Sequence, residues 1–198
     1  MTWVKLCGLR TREDVEVAVE AGADAVGFVL AAGSPRRISV DTARRIGADA
    51  AVERYLVTVD VEPGPLLEAA ELAGADGVQP HGAHAADAAA AALDAGLRVL
   101  FPVPVTDRVA LADVPPDARP LLDTHVPGMH GGTGRTFDWD LAADPGRDVV
   151  IAGGLTPDTV GVAVGIARPW GVDVSSGIER SPGEKDHALM RRFVEAVR

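Results

Sequence analysis

Apolar, β-forming runs alternate with Ala-rich amphipathic runs from one end of the chain to the other, the pattern of strands and helices alternating around a parallel sheet. Strands are predicted at Trp3–Leu6, Ala25–Leu30, Arg54–Val59, Gly77–Gln79, Arg98–Phe101, Pro120–Leu122, Asp148–Ile151 and Gly171–Val174. They are continuous apolar runs such as Ala25-Val-Gly-Phe-Val-Leu30 rather than strict alternations, as strands covered on both faces require. Helix starts are marked between them. Thr11-Arg-Glu-Asp14 reads as a capping signal, with a hydroxyl to accept orphan amides and acids at the positive helix end. Ser39 precedes a second helical run, and Thr156-Pro157-Asp158 offers an N-cap followed by proline at the first helical position. In the last segment Leu189, Met190, Phe193, Val194 and Val197 share one helical face while Arg191, Arg192 and Glu195 point away, so this helix should dock on the sheet.

The segments Ala21-Gly-Ala-Asp-Ala-Val-Gly27 and Ala73-Gly-Ala-Asp-Gly-Val-Gln79 echo each other, each ending a helix with Gly and entering the next strand through Asp. Eight strands in 198 residues leave about 25 residues per unit, near the lower limit of a (β/α)8 barrel, the TIM-barrel architecture. The competing architecture is a doubly wound open sheet. The barrel is preferred because no Gly-x-Gly-x-x-Gly follows the first strand and no Gly-Lys-Ser/Thr loop occurs. One α/β domain over 1–198 with short loops throughout is therefore expected.

Composition narrows the function. With 47% hydrophobic residues the chain can bury a sizeable core, which rules out general disorder. A formal net charge of −10 argues against a nucleic-acid or anionic-membrane partner, since both need a basic footprint. An anionic ligand would have to be held by local donors. The single cysteine, Cys7, cannot form an internal disulfide. No apolar run approaches the ~18 residues of a membrane helix, and no signal-peptide order opens the chain, so a cytoplasmic location is expected.

In a barrel the C-terminal strand ends converge on one mouth, where chemistry should be sought. These ends carry Cys7-Gly8-Leu9, Ser34-Pro-Arg-Arg37, Gln79-Pro80-His81-Gly82, Asp123, Ala152-Gly-Gly-Leu155 and Asp173-Val-Ser-Ser-Gly177. Gly153, Gly154, Ser175, Ser176 and Gly177 either permit tight turns or point amides and hydroxyls at a phosphate; their recurrence after two adjacent late strands favours the phosphate. Cys7 is either a small buried hydrophobe or, with its thiolate favoured, a base. Asp123 is either a turn or cap residue or a carboxylic acid kept protonated by an apolar mouth. Arg36 and Arg37 are either a solvated pair or a grip on a carboxylate. His81, His125 and His130 match no ordinary zinc spacing, so no metal is expected.

The segments Lys5-Leu-Cys-Gly-Leu9, Ser34-Pro-Arg36, Val78-Gln-Pro-His-Gly82, Leu121-Leu-Asp123, Gly131-Gly-Thr-Gly-Arg-Thr-Phe-Asp-Trp139, Ala152-Gly-Gly-Leu155 and Asp173-Val-Ser-Ser-Gly177 together resemble the phosphoribosylanthranilate isomerase family nearly end to end. The resemblance implies a tryptophan-pathway barrel performing an Amadori rearrangement of N-(5-phosphoribosyl)anthranilate to 1-(2-carboxyphenylamino)-1-deoxyribulose 5-phosphate, without cofactor or metal. It implies Asp123 as general acid to the furanose ring oxygen, Cys7 as base at sugar C2, and Arg36 on the anthranilate carboxylate. Gly153, Gly154 and Ser175 to Gly177 would anchor the phosphate, with Gln79, His81 and Asp173 lining the mouth. The expected partner is this small anionic substrate, on a monomer or homodimer.

Four positions depart from the family's pattern. Pro80 stands where Leu is usual, Asp60 where Asn is common, Phe101-Pro-Val-Pro104 follows the predicted fifth strand, and Arg135 replaces a frequent Lys. Pro80 removes an amide donor beside His81. None removes a proposed catalytic group. Two alternatives stay open: a related histidine-pathway phosphoribosyl isomerase or dual-substrate enzyme, whose first strand ends in Asp where this chain has Cys7, and a catalytically silent phosphoribosyl-ligand binder.

Overall fold

Eight strands pair in parallel, in chain order, and close as the last returns to the first. They are β1 (Trp3–Cys7), β2 (Ala25–Val29), β3 (Glu53–Val59), β4 (Gly77–His81), β5 (Arg98–Val105), β6 (Arg119–Thr124), β7 (Val150–Ile151) and β8 (Gly171–Val174). Among the described residues six α-helices pack around them: α1 (Arg12–Ala21), α2 (Val40–Gly47), α3 (Pro63–Ala73), α4 (Ala85–Asp94), α5 (Val160–Ala167) and α6 (His187–Val197). The structure is a computed structural model that describes residues 1–106, 109–124 and 137–198.

Alternation along each strand sorts the side chains. Val4, Leu6, Val26, Phe28, Leu56 and Val172 face outward into the main core beneath the helices. Ala25, Tyr55, Leu100, Leu121, Val150 and Ala152 fill the lower barrel interior, closed below by Trp3 stacked with Trp170 at 5.0 Å and edge-on to Tyr55 at 5.9 Å.

The helix starts follow their local chemistry. Thr11 and Asp14 form a reciprocal capping box on α1, and Ser39 accepts the Thr42 amide at the head of α2. The internal echo is a structural repeat. Gly22 and Gly74 end α1 and α3 with positive φ, a conformation that glycine adopts without strain. Asp24 and Asp76 then each accept an amide from the preceding strand, from Val4 at 2.8 Å and Arg54 at 2.9 Å. Met190, Phe193 and Val194 are buried on α6 as its periodicity requires.

Several expectations are corrected. The Thr156-Pro157-Asp158 segment forms a separate turn, tied by the Thr156 amide to Thr159 Oγ1 at 3.0 Å, and α5 begins only at Val160. Phe101 to Pro104 lie inside β5, where Pro102 and Pro104 are in register with Leu121 and Asp123 of β6. Among the described residues no α-helix joins β5 to β6. Pro115 and Pro116 interrupt that connection, and Arg147 binds the carbonyls of Val114, Pro115, Pro116 and Ala118 instead. Loops are therefore not short throughout. A small antiparallel hairpin, β9 (Glu179–Ser181) with β10 (Glu184–Lys185), follows β8; its charged, short strands carry no apolar pattern to predict it from.

Candidate active site

The upper barrel interior is polar where the lower is apolar. Lys5 and Cys7 stand two residues apart on β1 and so share its inward face. Lys5 is fully buried, and its ammonium donates to Asp173 Oδ1 at 2.8 Å and to Gln79 Oε1 at 2.9 Å. A buried ammonium is costly unless paired and hydrogen-bonded, and this one is both. Gln79 extends the network to His81, its Nε2 lying 3.0 Å from the ring Nε2. Asp173, Gln79 and His81 are buried, so the three residues named from the sequence as lining the mouth form one network around a lysine that the sequence reading quoted only as part of a motif. A lone charge two residues before Cys7 in an apolar strand is the signal that could have found it.

Cys7 lies at the top of β1, buried with Val29 and Val57. Burial pushes its thiol up from the ordinary value, and Asp173 adds to this, while the charges of Lys5 and Lys185 pull it down. Asp123, at the C-terminal end of β6, is pushed up to about 6 by burial and by the negative charge of Asp173, opposed by Lys5 and a backbone hydrogen bond. Lys5 on β1 and Asp173 on β8 thus act on both groups. Three glycines make room there. A Cβ on Gly27 would stand 2.7 Å from Cys7 Sγ and 3.1 Å from Lys5 Nζ. One on Gly8 would stand 2.6 Å from Arg36 Cδ, and one on Gly153 2.5 Å from Asp123 Oδ1.

Gly153 and Gly154 both have positive φ, and the loop they form packs against that after β8: a Cβ on Gly177 would collide with the Leu155 carbonyl oxygen. The two glycine-bearing segments are therefore contiguous, as in the phosphate site between the last two strands of many such barrels. Ser175 Oγ donates to the Cys7 carbonyl at 3.2 Å, linking that loop to β1.

Arg36 crosses over Gly8, and its guanidinium is held bidentately by Glu179, Nε to Oε1 at 2.7 Å and Nη2 to Oε2 at 2.8 Å. Buried Lys185 binds the same carboxylate at 2.8 Å and the Ser175 carbonyl at 2.9 Å. Burial, opposed by Arg36 and Lys185, leaves the Glu179 carboxyl below its usual range. The hairpin so fixes Arg36 by one edge and leaves the Nη1 and Nη2 edge for a second carboxylate. Glu179 and Lys185 were not singled out from the sequence; Glu179 lies 143 residues from Arg36, beyond any local pattern. Arg37 is exposed.

Pro80 is accommodated. The His81 carbonyl accepts the Asp60 amide from the β3 side, so alternation turns the missing Pro80 amide toward β5, where the ladder has already ended at Val78 and Val99. His81 accordingly keeps its inward place. Asp60 has φ 53° and accepts the Ala83 amide through Oδ1 at 2.6 Å, a left-handed site that Asp and Asn both tolerate. His125, His130, Arg135 and the glycines of Gly131-Gly-Thr-Gly lie outside the described residues. Among the described residues no group of three His, Cys, Asp or Glu could hold a metal ion, and no helix is long and apolar enough to cross a membrane.

The family model for N-(5'phosphoribosyl)anthranilate (PRA) isomerase matches residues 4–196. The N-(5'-phosphoribosyl)anthranilate isomerase of Rubrobacter xylanophilus is 41% identical, over all of this chain and all of its own. The crystal structure of phosphoribosyl anthranilate isomerase from Thermotoga maritima superposes with a TM-score of 0.87 at 37% identity, covering 99% of this chain and 98% of that one. Another structure, of a phosphoribosyl anthranilate isomerase in complex with reduced 1-(o-carboxyphenylamino)-1-deoxyribulose 5-phosphate, superposes with a TM-score of 0.83 at 35% identity, over 99% of this chain and 98% of that one.

Proposed function

The chain belongs to the N-(5'-phosphoribosyl)anthranilate isomerase family, and from that premise we propose that Cys7 and Asp123 are the base and acid of its reaction. The protein is an isomerase of tryptophan biosynthesis. The histidine-pathway and silent-binder alternatives gain no support from the comparisons. The observation that carries the assignment is placement: Cys7 and Asp123 stand at the C-terminal ends of β1 and β6 of one barrel, each beside a glycine, Gly27 and Gly153, whose missing Cβ leaves room against it.

The chemistry is an Amadori rearrangement. Protonated Asp123 gives its proton to the furanose ring oxygen as the C1–O bond breaks, and the anilino nitrogen's lone pair forms the C1 iminium. The Cys7 thiolate then removes the proton from C2, and the C–H electron pair becomes the C1–C2 double bond of an enolamine, which tautomerises to the ketone. No atom is gained or lost. Acid and base on opposite sides of one sugar convert two slow proton transfers into steps of a single bound species.

Arg36 presents its free edge to the anthranilate carboxylate, a planar pairing that guanidinium suits. The Gly153–Gly154 and Ser175–Gly177 segments hold the phosphate, and Gln79, His81 and Asp173 line the sugar. Because the chain carries a net charge of −10, both anionic ends of the substrate depend on these local donors. The reading takes 1–198 as one barrel domain, cytoplasmic, acting without cofactor as a monomer or homodimer.

The test is turnover of freshly prepared N-(5-phosphoribosyl)anthranilate. Wild type should be active, and Cys7→Ala and Asp123→Asn should each lose about 10²-fold or more in kcat, the usual cost of removing an acid or base. Full rate in either variant means the roles are misassigned.

A further inference from the structure

We infer that Lys5, clamped in the barrel interior by Asp173 and Gln79, is the counter-charge that makes the thiolate of the Cys7 base accessible from its buried thiol, an inference resting on the assignment of Cys7 as base. A buried thiol is a poor base, because burial disfavours the thiolate and leaves the proton on sulfur. Cys7 sits in such surroundings, against Val29 and Val57, so a nearby positive charge is needed to offset the burial.

Lys5 supplies it by geometry. Its Nζ and the Cys7 Sγ both flank the space that Gly27 leaves empty, 3.1 Å and 2.7 Å from where a Cβ there would stand. Two of its donor directions are taken by Asp173 and Gln79, which fix the ammonium in place. Burial alone would discharge the lysine, but Asp173 and the Cys7 sulfur outweigh it and raise its pKa above the ordinary value. The charged groups facing the sulfur come from three elements. Lys5 on β1 and Lys185 on β10 favour the thiolate, and Asp173 on β8 opposes it. Lys185 is committed to Glu179 and the Ser175 carbonyl, and Lys5 is the cation that acts more strongly on the sulfur. Lys5 is thus a positioning residue that acts on substrate through Cys7.

Thiol titration of the free enzyme tests this without turnover, since Cys7 is the only cysteine. The iodoacetamide alkylation rate against pH gives the thiol midpoint. In Lys5→Met it should rise by about one unit or more, so that alkylation near pH 8 slows about tenfold. With N-(5-phosphoribosyl)anthranilate, kcat should fall while KM changes little, because the lost charge serves the base and neither anionic end of the substrate. A folded Lys5→Met with an unmoved midpoint overturns the inference. If that variant does not fold, the reciprocal measurement decides. Coupling between two titrating groups is mutual, so Cys7→Ser should lower the midpoint of the Lys5 Cε resonance in lysine-labelled protein, and an unchanged midpoint overturns the pairing. Absence of turnover in wild type would defeat the functional reading and leave the thiol titration to decide the Lys5 pairing independently.

Discussion

The two groups assigned to proton transfer rest in the states opposite to those in which they work. Asp123 titrates near 6, so at neutral pH it is mostly ionised, and burial holds Cys7 above its ordinary value as a thiol. The working form, with the proton on Asp123 and not on Cys7, is a minor tautomer of the singly protonated pair. Its population is constant between the two midpoints, so kcat/KM should show a plateau with an acid limb near 6 and an alkaline limb at the thiol's value. In Asp123→Asn the acid limb should vanish and the residual rate should climb with pH until the thiol is ionised. The same carboxyl makes a stability prediction. Its folded value is raised from 3.8 to about 6, so the folded state binds the proton more tightly than the unfolded chain. That contribution is complete below about 4 and lost as pH rises through about 6. Asp123→Asn should therefore gain stability on wild type as pH rises, by about 1–2 kcal/mol between pH 5 and pH 8, read as a Tm gain of several degrees. Equal melting at both values would mean that Asp123 is not held out of water.

Among the elements, the connections after β7 and β8 carry the most consequence for so little sequence. Gly153 combines φ 79° with a Cβ direction that meets Asp123 Oδ1 and, at 2.6 Å, Thr124 Oγ1. Gly153→Ala should therefore displace the acid and strain the turn together, costing about 1–3 kcal/mol of stability and lowering kcat more than KM; a variant with wild-type Tm and kcat would refute the close packing of β6 against β7. The strands were legible in the sequence because buried parallel strands are continuous apolar runs, and the helix starts at Thr11 and Ser39 because capping is local chemistry. The start of α5 was misread because Thr156 bonds within its own turn with Thr159 instead of starting the helix. The end of β5 was misread because Pro102 and Pro104 are poor strand residues on propensity, tolerated here beyond the β4 ladder.

At the scale of the molecule, the barrel sets residues far apart in sequence side by side. Lys5 and Asp173 are 168 residues apart and bonded at 2.8 Å, because β1 closes on β8 in register. Strand ends that converge on one mouth made Cys7, Asp123, Gln79, His81 and Asp173 legible once the barrel was expected. The pairings among them were not legible: that Gln79 and Asp173 hold a buried lysine, or that Glu179 and Lys185 in an unpredicted hairpin fix Arg36, follows from closure and packing with no local trace. The account rests on a thiol and a carboxyl meeting one pentose from opposite sides. It is tested most directly by the structure of this chain bound to reduced 1-(o-carboxyphenylamino)-1-deoxyribulose 5-phosphate. The account predicts Cys7 Sγ near sugar C2 and the Asp123 carboxyl near the oxygen derived from the ring, each within about 3.5 Å of its atom, with the phosphate between Gly154 and Ser176. A complex in which either group faces away from the sugar would contradict it.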